Sequence, residues 1–165
     1  MAKITFNDLS RIREEHHNEK IVFCSGGFDL THAGHALFFE DCKKQGDVLV
    51  VMVGSDKAVG RDKGTTRPVL NEHMRSKMVD SLKPVDYVMI DELPPPGSHA
   101  LHYIDMVFER LKPDVYVVNQ DAFDITYRKD LAQRHGVKLV ILERICPEEF
   151  EAVSTTNIIK KIKTT

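Results

Sequence analysis

Residues 21–35 read Ile21-Val22-Phe23-Cys24-Ser25-Gly26-Gly27-Phe28-Asp29-Leu30-Thr31-His32-Ala33-Gly34-His35. The apolar run from Ile21 to Cys24 predicts a buried strand, and Ser25-Gly26-Gly27 predicts a tight turn after it. Residues 34 to 45 then predict a helix with Phe38, Phe39 and Cys42 on its apolar face, closed by Gly46. A strand that passes through glycines into a helix makes an anion site, because first-turn N–H groups and the helix dipole face the space beyond the strand. Gly26 and Gly27 let the backbone approach a ligand closely, and Gly34 leaves room where a side chain would intrude. Ala36, Leu37, Phe38 and Phe39 precede Glu40, so the first turn carries no acid. His32 and His35, three residues apart, fall on one side of that helix start, where two imidazoles can donate to phosphate oxygens. A metal site is the rival reading, but no third and fourth ligand lie nearby; two solvated or capping histidines are the plainer one.

Outward from this stretch the same alternation repeats. Val48 to Val53 is apolar at every position, as a central parallel strand covered on both faces should be. Residues 54 to 70 read as a polar loop, locally basic through Lys57, Arg61, Lys63 and Arg67, followed by a helix from Asn71 to Leu82. Val85 to Ile90 is the third strand, and Pro94-Pro95-Pro96-Gly97 marks a stiff loop. Leu101, Ile104, Val107, Phe108 and Leu111 form a helical stripe. Val115 to Val118, residues 125 to 135 and Val137 to Leu142 predict strand, helix and fifth strand. A last helix begins near Ser154, and a polar helix over 7–17 precedes the first strand. The pattern predicts an α/β fold: one doubly wound domain over 1–165, core about 20–163, with a five-stranded parallel sheet, helices on both faces and ligands beyond the carboxyl ends of the strands.

With 165 residues, 42% hydrophobic and 29% charged, the chain has ordinary globular composition. A net charge of −2 gives no basic field for a nucleic-acid partner. No apolar run approaches the roughly 20 residues that would span a membrane, and the opening residues lack a signal-peptide core, so the expected location is cytoplasmic. Cys24, Cys42 and Cys146 form no Cys-x-x-Cys pair and read as small buried thiols. His16, His17, His73 and His135 read as solvated, His99 and His102 as a soluble helix start, and Tyr87 and Tyr103 as core.

Residues 26–35, GGFDLTHAGH, resemble the GxFDxxHxGH motif of the cytidylyltransferase-like superfamily of nucleotidyltransferases, whose fold is Rossmann-like. The shorter His-x-Gly-His also occurs in class I aminoacyl-tRNA synthetases. This chain lacks room for their tRNA-binding parts, and Ser76-Lys77-Met78 only echoes their lysine loop. The segment 61–69, RDKGTTRPV, resembles the KG..RPV segment of bacterial D-glycero-β-D-manno-heptose 1-phosphate adenylyltransferases, and Arg75 falls where related enzymes carry an arginine on substrate or nucleotide phosphate. Ser154 is a good N-cap, and its first turn again lacks a carboxylate. The run STTNIIKKI, residues 154–162, is similar to the C-terminal end of the heptose-phosphate enzymes, where the Ser-Thr-Thr start helps hold the outer phosphates. Two departures stand out. Glu149 occupies the position of an arginine usual in glycerol-3-phosphate cytidylyltransferases, and Asn119-Gln120-Asp121 replaces a VKGGDY segment, keeping only Asp121 of its polar set.

The resemblance implies transfer of a nucleoside monophosphate, AMP from ATP, to a phosphorylated small molecule such as heptose 1-phosphate, with release of pyrophosphate. It gives His32, His35 and Lys63 catalytic roles. Gly26, Gly27, Phe28, Gly34, Ser154, Thr155 and Thr156 would hold the nucleotide, and Asp29, Arg67, Arg75 and Asp121 the acceptor. Mg²⁺ is expected through the triphosphate, with no metal site of the protein's own. A homodimer is allowed by the resemblance and marked by no residue pattern. The alternatives are a cytidylyltransferase acting on glycerol 3-phosphate or another polyol or sugar phosphate, an FMN adenylyltransferase, and a nucleotide-binding sensor without turnover.

Overall fold

The longest apolar run, Val48–Val53, becomes a strand in the middle of the sheet. In the computed structural model, which describes residues 2–64, 66–92, 94–144, 146–150 and 153–164 (backbone alone at Ala2 and Asp62), the strands are β1 (Ala2–Lys3), β2 (Ile21–Gly26), β3 (Val48–Val53), β4 (Tyr87–Ile90), β5 (Val115–Asn119) and β6 (Lys138–Leu142). The helices are α1 (Leu9–Glu15), α2 (Ala33–Lys43), α3 (Asp56–Lys63), α4 (Glu72–Asp80), α5 (His102–Leu111), α6 (Ile125–His135) and α7 (Thr155–Lys163). The sheet order is β1-β4-β3-β2-β5-β6 and every pairing is parallel. The chain therefore builds outward from β2 through β3 and β4, then crosses back to β5 and β6. Strand order reverses between β2 and β5, where an open α/β sheet leaves a crevice at its carboxyl ends.

Period-2 alternation sorts the core onto two faces. Ile21 and Phe23 point to a cluster with Leu9, Ile12, Phe108 and Leu111, which brings α1, α5 and α6 to one face. Val22 and Cys24 point the other way, to Phe38, Phe39, Cys42 and Val79 of α2 and α4. All six residues of β3 are buried, as its continuous apolar run requires.

Three details depart from the sequence-based expectations. The sheet has a sixth strand, β1, two residues pairing with Tyr87 and Val88 at the edge, too short to show any periodicity. The expected polar loop 54–70 contains α3, capped by the Ser55 hydroxyl accepting from the Ala58 N–H and ended by Gly64 at φ 90°. Only Ala58 and Val59 of that helix are buried apolar residues, so it has almost no apolar stripe to read. Cys24 and Cys42 are buried free thiols, but Cys146 is exposed.

Two histidines read as solvated are half-buried instead. His16 Nε2 pairs with the Tyr87 hydroxyl at 2.9 Å, and His135 Nε2 with Asp105 at 2.6 Å. Among the described residues no helix is long and apolar enough to cross a membrane.

Candidate active site

The glycine turn follows β2 at the point of strand reversal, and its conformation is unusual. Phe28 and Leu30 both have φ of 46°, a left-handed backbone that bulky residues rarely adopt and that burial of the Phe28 ring helps hold in place. That ring lies under Gly26, where an added Cβ would come within 2.8 Å of it. Gly27 faces Lys63, with 3.8 Å between the position a Cβ would take and Lys63 Nζ. Gly26 is thus demanded by packing from below, while Gly27 is open toward a cation.

Asp29 ties the turn to two distant segments. It is buried, and its carboxylate accepts from Arg67 Nε at 3.0 Å, the Val69 N–H at 2.8 Å and the Leu70 N–H at 3.0 Å. Burial pushes its pKa up, but the Leu70 and Val69 amides and the Arg67 charge outweigh that and hold the carboxyl below its usual range. Its carbonyl accepts from the Thr155 hydroxyl at 2.7 Å, which brings the start of α7 to the turn. Gly34 confirms the meeting of the two helix starts, since a Cβ there would sit 3.5 Å from the Val153 carbonyl oxygen. Neither α2 nor α7 has an acid in its first turn, and the Ser154 hydroxyl caps α7 by accepting from the Asn157 N–H at 3.1 Å. Two positive helix ends therefore face the same space.

His32 and His35 stack there with ring centroids 3.9 Å apart. The His32 backbone N–H donates to His35 Nδ1 at 3.4 Å, which leaves Nε2 as the protonated nitrogen of His35. Burial, then the neighbouring charges of His32, Arg144 and Lys63, push His35 down to about 3. Burial and Arg144 lower His32 as well. Both rings are neutral donors at pH 7. A Cβ on Gly34 would meet the His32 ring at 3.0 Å, so this glycine is what allows the stack. His32 Nδ1 is buried and finds no hydrogen-bond partner among the described residues. Lys63 is exposed along its stem, and burial of its ammonium end, with Arg67 beside it, lowers its pKa.

The residues expected from sequence thus separate: Phe28, expected to hold the nucleotide, is instead a core side chain packed beneath Gly26, and the others divide into groups. Gly26, Gly27, Gly34, His32, His35, Lys63, Ser154 and Thr155 surround one cleft, with Thr156 exposed in the same first turn of α7. Asp29, Arg67 and Arg75 lie behind it. Arg75 is wholly buried, donating to the Gly27 carbonyl at 2.6 Å, the Leu70 carbonyl at 2.8 Å and Asp56 at 2.8 Å. Its three interactions position the turn and the 67–70 segment from within the protein. Asp121 is exposed and pairs with Arg144 at 2.9 Å.

Arg144 and Asp91 stand outside every motif of the sequence. Arg144 follows β6 at its carboxyl end, where the strand rule directs attention, and its charge reaches His32, His35 and Lys63. Asp91 follows β4 in the same way.

At the point of strand reversal the structure thus brings together backbone amides, two imidazoles and an ammonium, an arrangement suited to an anion. The chain belongs to the Cytidylyltransferase-like family, whose sequence model matches residues 23–161. It is 38% identical over 151 residues to the bifunctional protein HldE of Helicobacter pylori strain HPAG1, covering 92% of this chain and 29% of that protein. With HldE of Gluconobacter oxydans strain 621H it shares 32% identity over 162 residues, 96% of this chain and 31% of the other. The chain thus spans less than a third of the length of these curated relatives. A lipopolysaccharide core biosynthesis protein from Thermoplasma volcanium GSS1 superposes with a TM-score of 0.60 at 28% identity, over 77% of this chain and 97% of the other. A pantoate-beta-alanine ligase from Francisella tularensis shares the fold at a TM-score of 0.65 and 16% identity, over 98% of this chain and 77% of that one.

Proposed function

We propose that the chain transfers AMP from ATP to a sugar 1-phosphate, heptose 1-phosphate being the leading acceptor, and releases pyrophosphate. The observation that carries this reading is the meeting of two acid-free helix starts at the glycine turn, with His32, His35 and Lys63 facing the gap. The likeness to HldE and the resemblance of residues 61–69 and 154–162 to heptose-phosphate enzymes support the adenylyl and sugar-phosphate parts.

An oxygen of the acceptor phosphate attacks the α-phosphorus in line. The bond from that phosphorus to the bridging oxygen breaks, and pyrophosphate leaves with the electron pair. The acceptor is already an anion, so the step needs positioning and charge stabilisation, with no protein nucleophile. His35 donates from Nε2 and His32 from its own ring to oxygens that gain charge in the transition state. Lys63 neutralises the α-phosphate or the leaving group, and the α7 start with Thr155 and Thr156 holds the outer phosphates. Arg75 and Asp29 keep the glycine turn and the 67–70 segment in place from behind.

Mg²⁺ enters as the nucleotide's complex. The groups facing the cleft are amides, neutral imidazoles and cations, and among the described residues no three His, Cys, Asp or Glu side chains cluster to hold a metal ion. A cytoplasmic location and a homodimer belong to the same proposal.

The test is pyrophosphate release by purified protein with Mg²⁺, offering ATP or CTP against heptose 1-phosphate, other sugar 1-phosphates, glycerol 3-phosphate and flavin mononucleotide. Release with ATP and a sugar 1-phosphate is the expected result. Release with CTP alone moves the protein to the cytidylyl branch. Nucleotide binding with no release from any acceptor overturns the proposal in favour of a sensor.

A further inference from the structure

A cavity of about 110 Å³ opens between α3 and α5 at the carboxyl ends of β2 and β3. Gly27 and Lys63 belong both to its wall and to the phosphate cleft, so the two spaces adjoin. Its other polar groups include Arg61, Tyr103 and a single carboxylate, that of Asp91, and apolar side chains such as Met52 and Ile104 line the remainder. The reaction already described gives none of these last five a task.

Asp91 is held for use as an acceptor. Its Oδ1 takes the Ser55 N–H, which fixes the plane of the carboxylate. Its Oδ2 lies beside Gly54, 3.9 Å from where a Cβ would stand. Burial raises the pKa of this carboxyl, partly offset by Ser55 and by the charges of Arg61 and Arg75. A desolvated carboxylate repels phosphate and accepts strongly from an O–H donor. Charge across the cavity is accordingly polarised: an ammonium lies beside the glycine turn, and a carboxylate follows β4. A molecule with phosphate at one end and hydroxyls at the other fits that polarity in one orientation only, with its phosphate toward the nucleotide.

We infer that this cavity receives the polyhydroxylated body of the phosphorylated acceptor, and that Asp91 is a specificity-determining residue accepting a hydrogen bond from one of its hydroxyls. The inference rests on the sugar-phosphate reading above and adds the group that recognises the sugar.

The experiment is calorimetric titration of heptose 1-phosphate into wild type and Asp91→Asn in the presence of Mg²⁺ and a non-hydrolysable ATP analogue, with nucleotide affinity measured separately. A hydrogen bond to a charged group is worth about tenfold or more in affinity, so Asp91→Asn should raise the acceptor Kd by at least that factor and leave nucleotide Kd within about twofold. Titrating monodeoxy derivatives of the same sugar phosphate should find one hydroxyl whose removal weakens wild type but not Asp91→Asn. Equal acceptor affinity in the two proteins, an equal loss of nucleotide and acceptor affinity, or no binding by wild type each overturns the inference. Because the readout is binding, acceptor binding that depends on Asp91 without pyrophosphate release would uphold this inference while the adenylyl-transfer reading fails.

Discussion

Replacing His35 with Gln tests whether the site histidines are held neutral by the protein. An unperturbed histidine titrates near 6.5, and in the folded chain His35 is pushed down to about 3 by burial and by the charges of His32, Arg144 and Lys63. A histidine with a lower pKa in the folded state binds its proton first in the unfolded chain, so acid favours unfolding. The contribution is absent above about pH 6.5, grows as pH falls, and levels off near the folded value. Between pH 7 and pH 5 the linkage relation gives about 2 kcal/mol for a shift of this size, or roughly 1–2 kcal/mol once the ring's partial exposure is allowed for. The assay is urea unfolding of wild type and His35→Gln at both pH values, taking the difference of differences so that carboxylates common to both proteins cancel. Gln keeps an acceptor within reach of the His32 N–H, so the helix start should survive. Wild type should lose the additional roughly 1–2 kcal/mol on acidification. Equal losses in the two proteins would refute the argument that burial and neighbouring cations keep His35 neutral.

Arg75→Met removes the donor to the Gly27 and Leu70 carbonyls and strips Asp56 of its partner, so urea unfolding should show a loss of roughly 3 kcal/mol; a loss under about 1 kcal/mol would contradict the described packing. Gly34→Ala puts a methyl into the His32 ring, and turnover should fall at least about tenfold while thermal stability changes little; unchanged turnover would show that the histidine stack is not needed. Lys63→Met should lower turnover by about 10² to 10³ with little change in the denaturation midpoint, because its stem is exposed and the methionine leaves no desolvated charge behind. Thr155→Val deletes the hydroxyl that meets the Asp29 carbonyl, at a cost of about 1 kcal/mol, and should weaken nucleotide binding more than acceptor binding; separate titrations of the two ligands decide it.

What could be read from the sequence was whatever is local in the chain. Ser25-Gly26-Gly27 and His32-Ala33-Gly34-His35 announce a turn and a helix start within fifteen residues, and the apolar runs of β2, β3 and β5 carry their own burial. Glycine at 34 reads as leaving space, and the structure fills that space with the His32 ring. The fold's remaining details depend on contacts between segments. Asp29 reads as a substrate ligand until its oxygens are seen bonded to Arg67, Val69 and Leu70, forty residues onward. Arg75 reads as a helical surface arginine or a phosphate ligand, but it is the largest fully buried side chain. Helix α3 is hidden by its charges, since two apolar residues in eight give no stripe. Asp91 and Arg144 stand in no motif, and only the convergence of strand ends brings them to the cleft.

The hydrogen bond from Thr155 to Asp29 spans 126 positions of chain, and this fixes when the cleft can come into being during synthesis. Each strand of the sheet lies before residue 143, so the ribosome can release a paired and twisted sheet with its glycine turn already formed. The second helix start arrives only with the residues that follow. A nascent chain halted after β6 would carry the histidines and yet lack half of the positive gap, and nucleotide would begin to protect it from protease only once residues 154–163 had emerged.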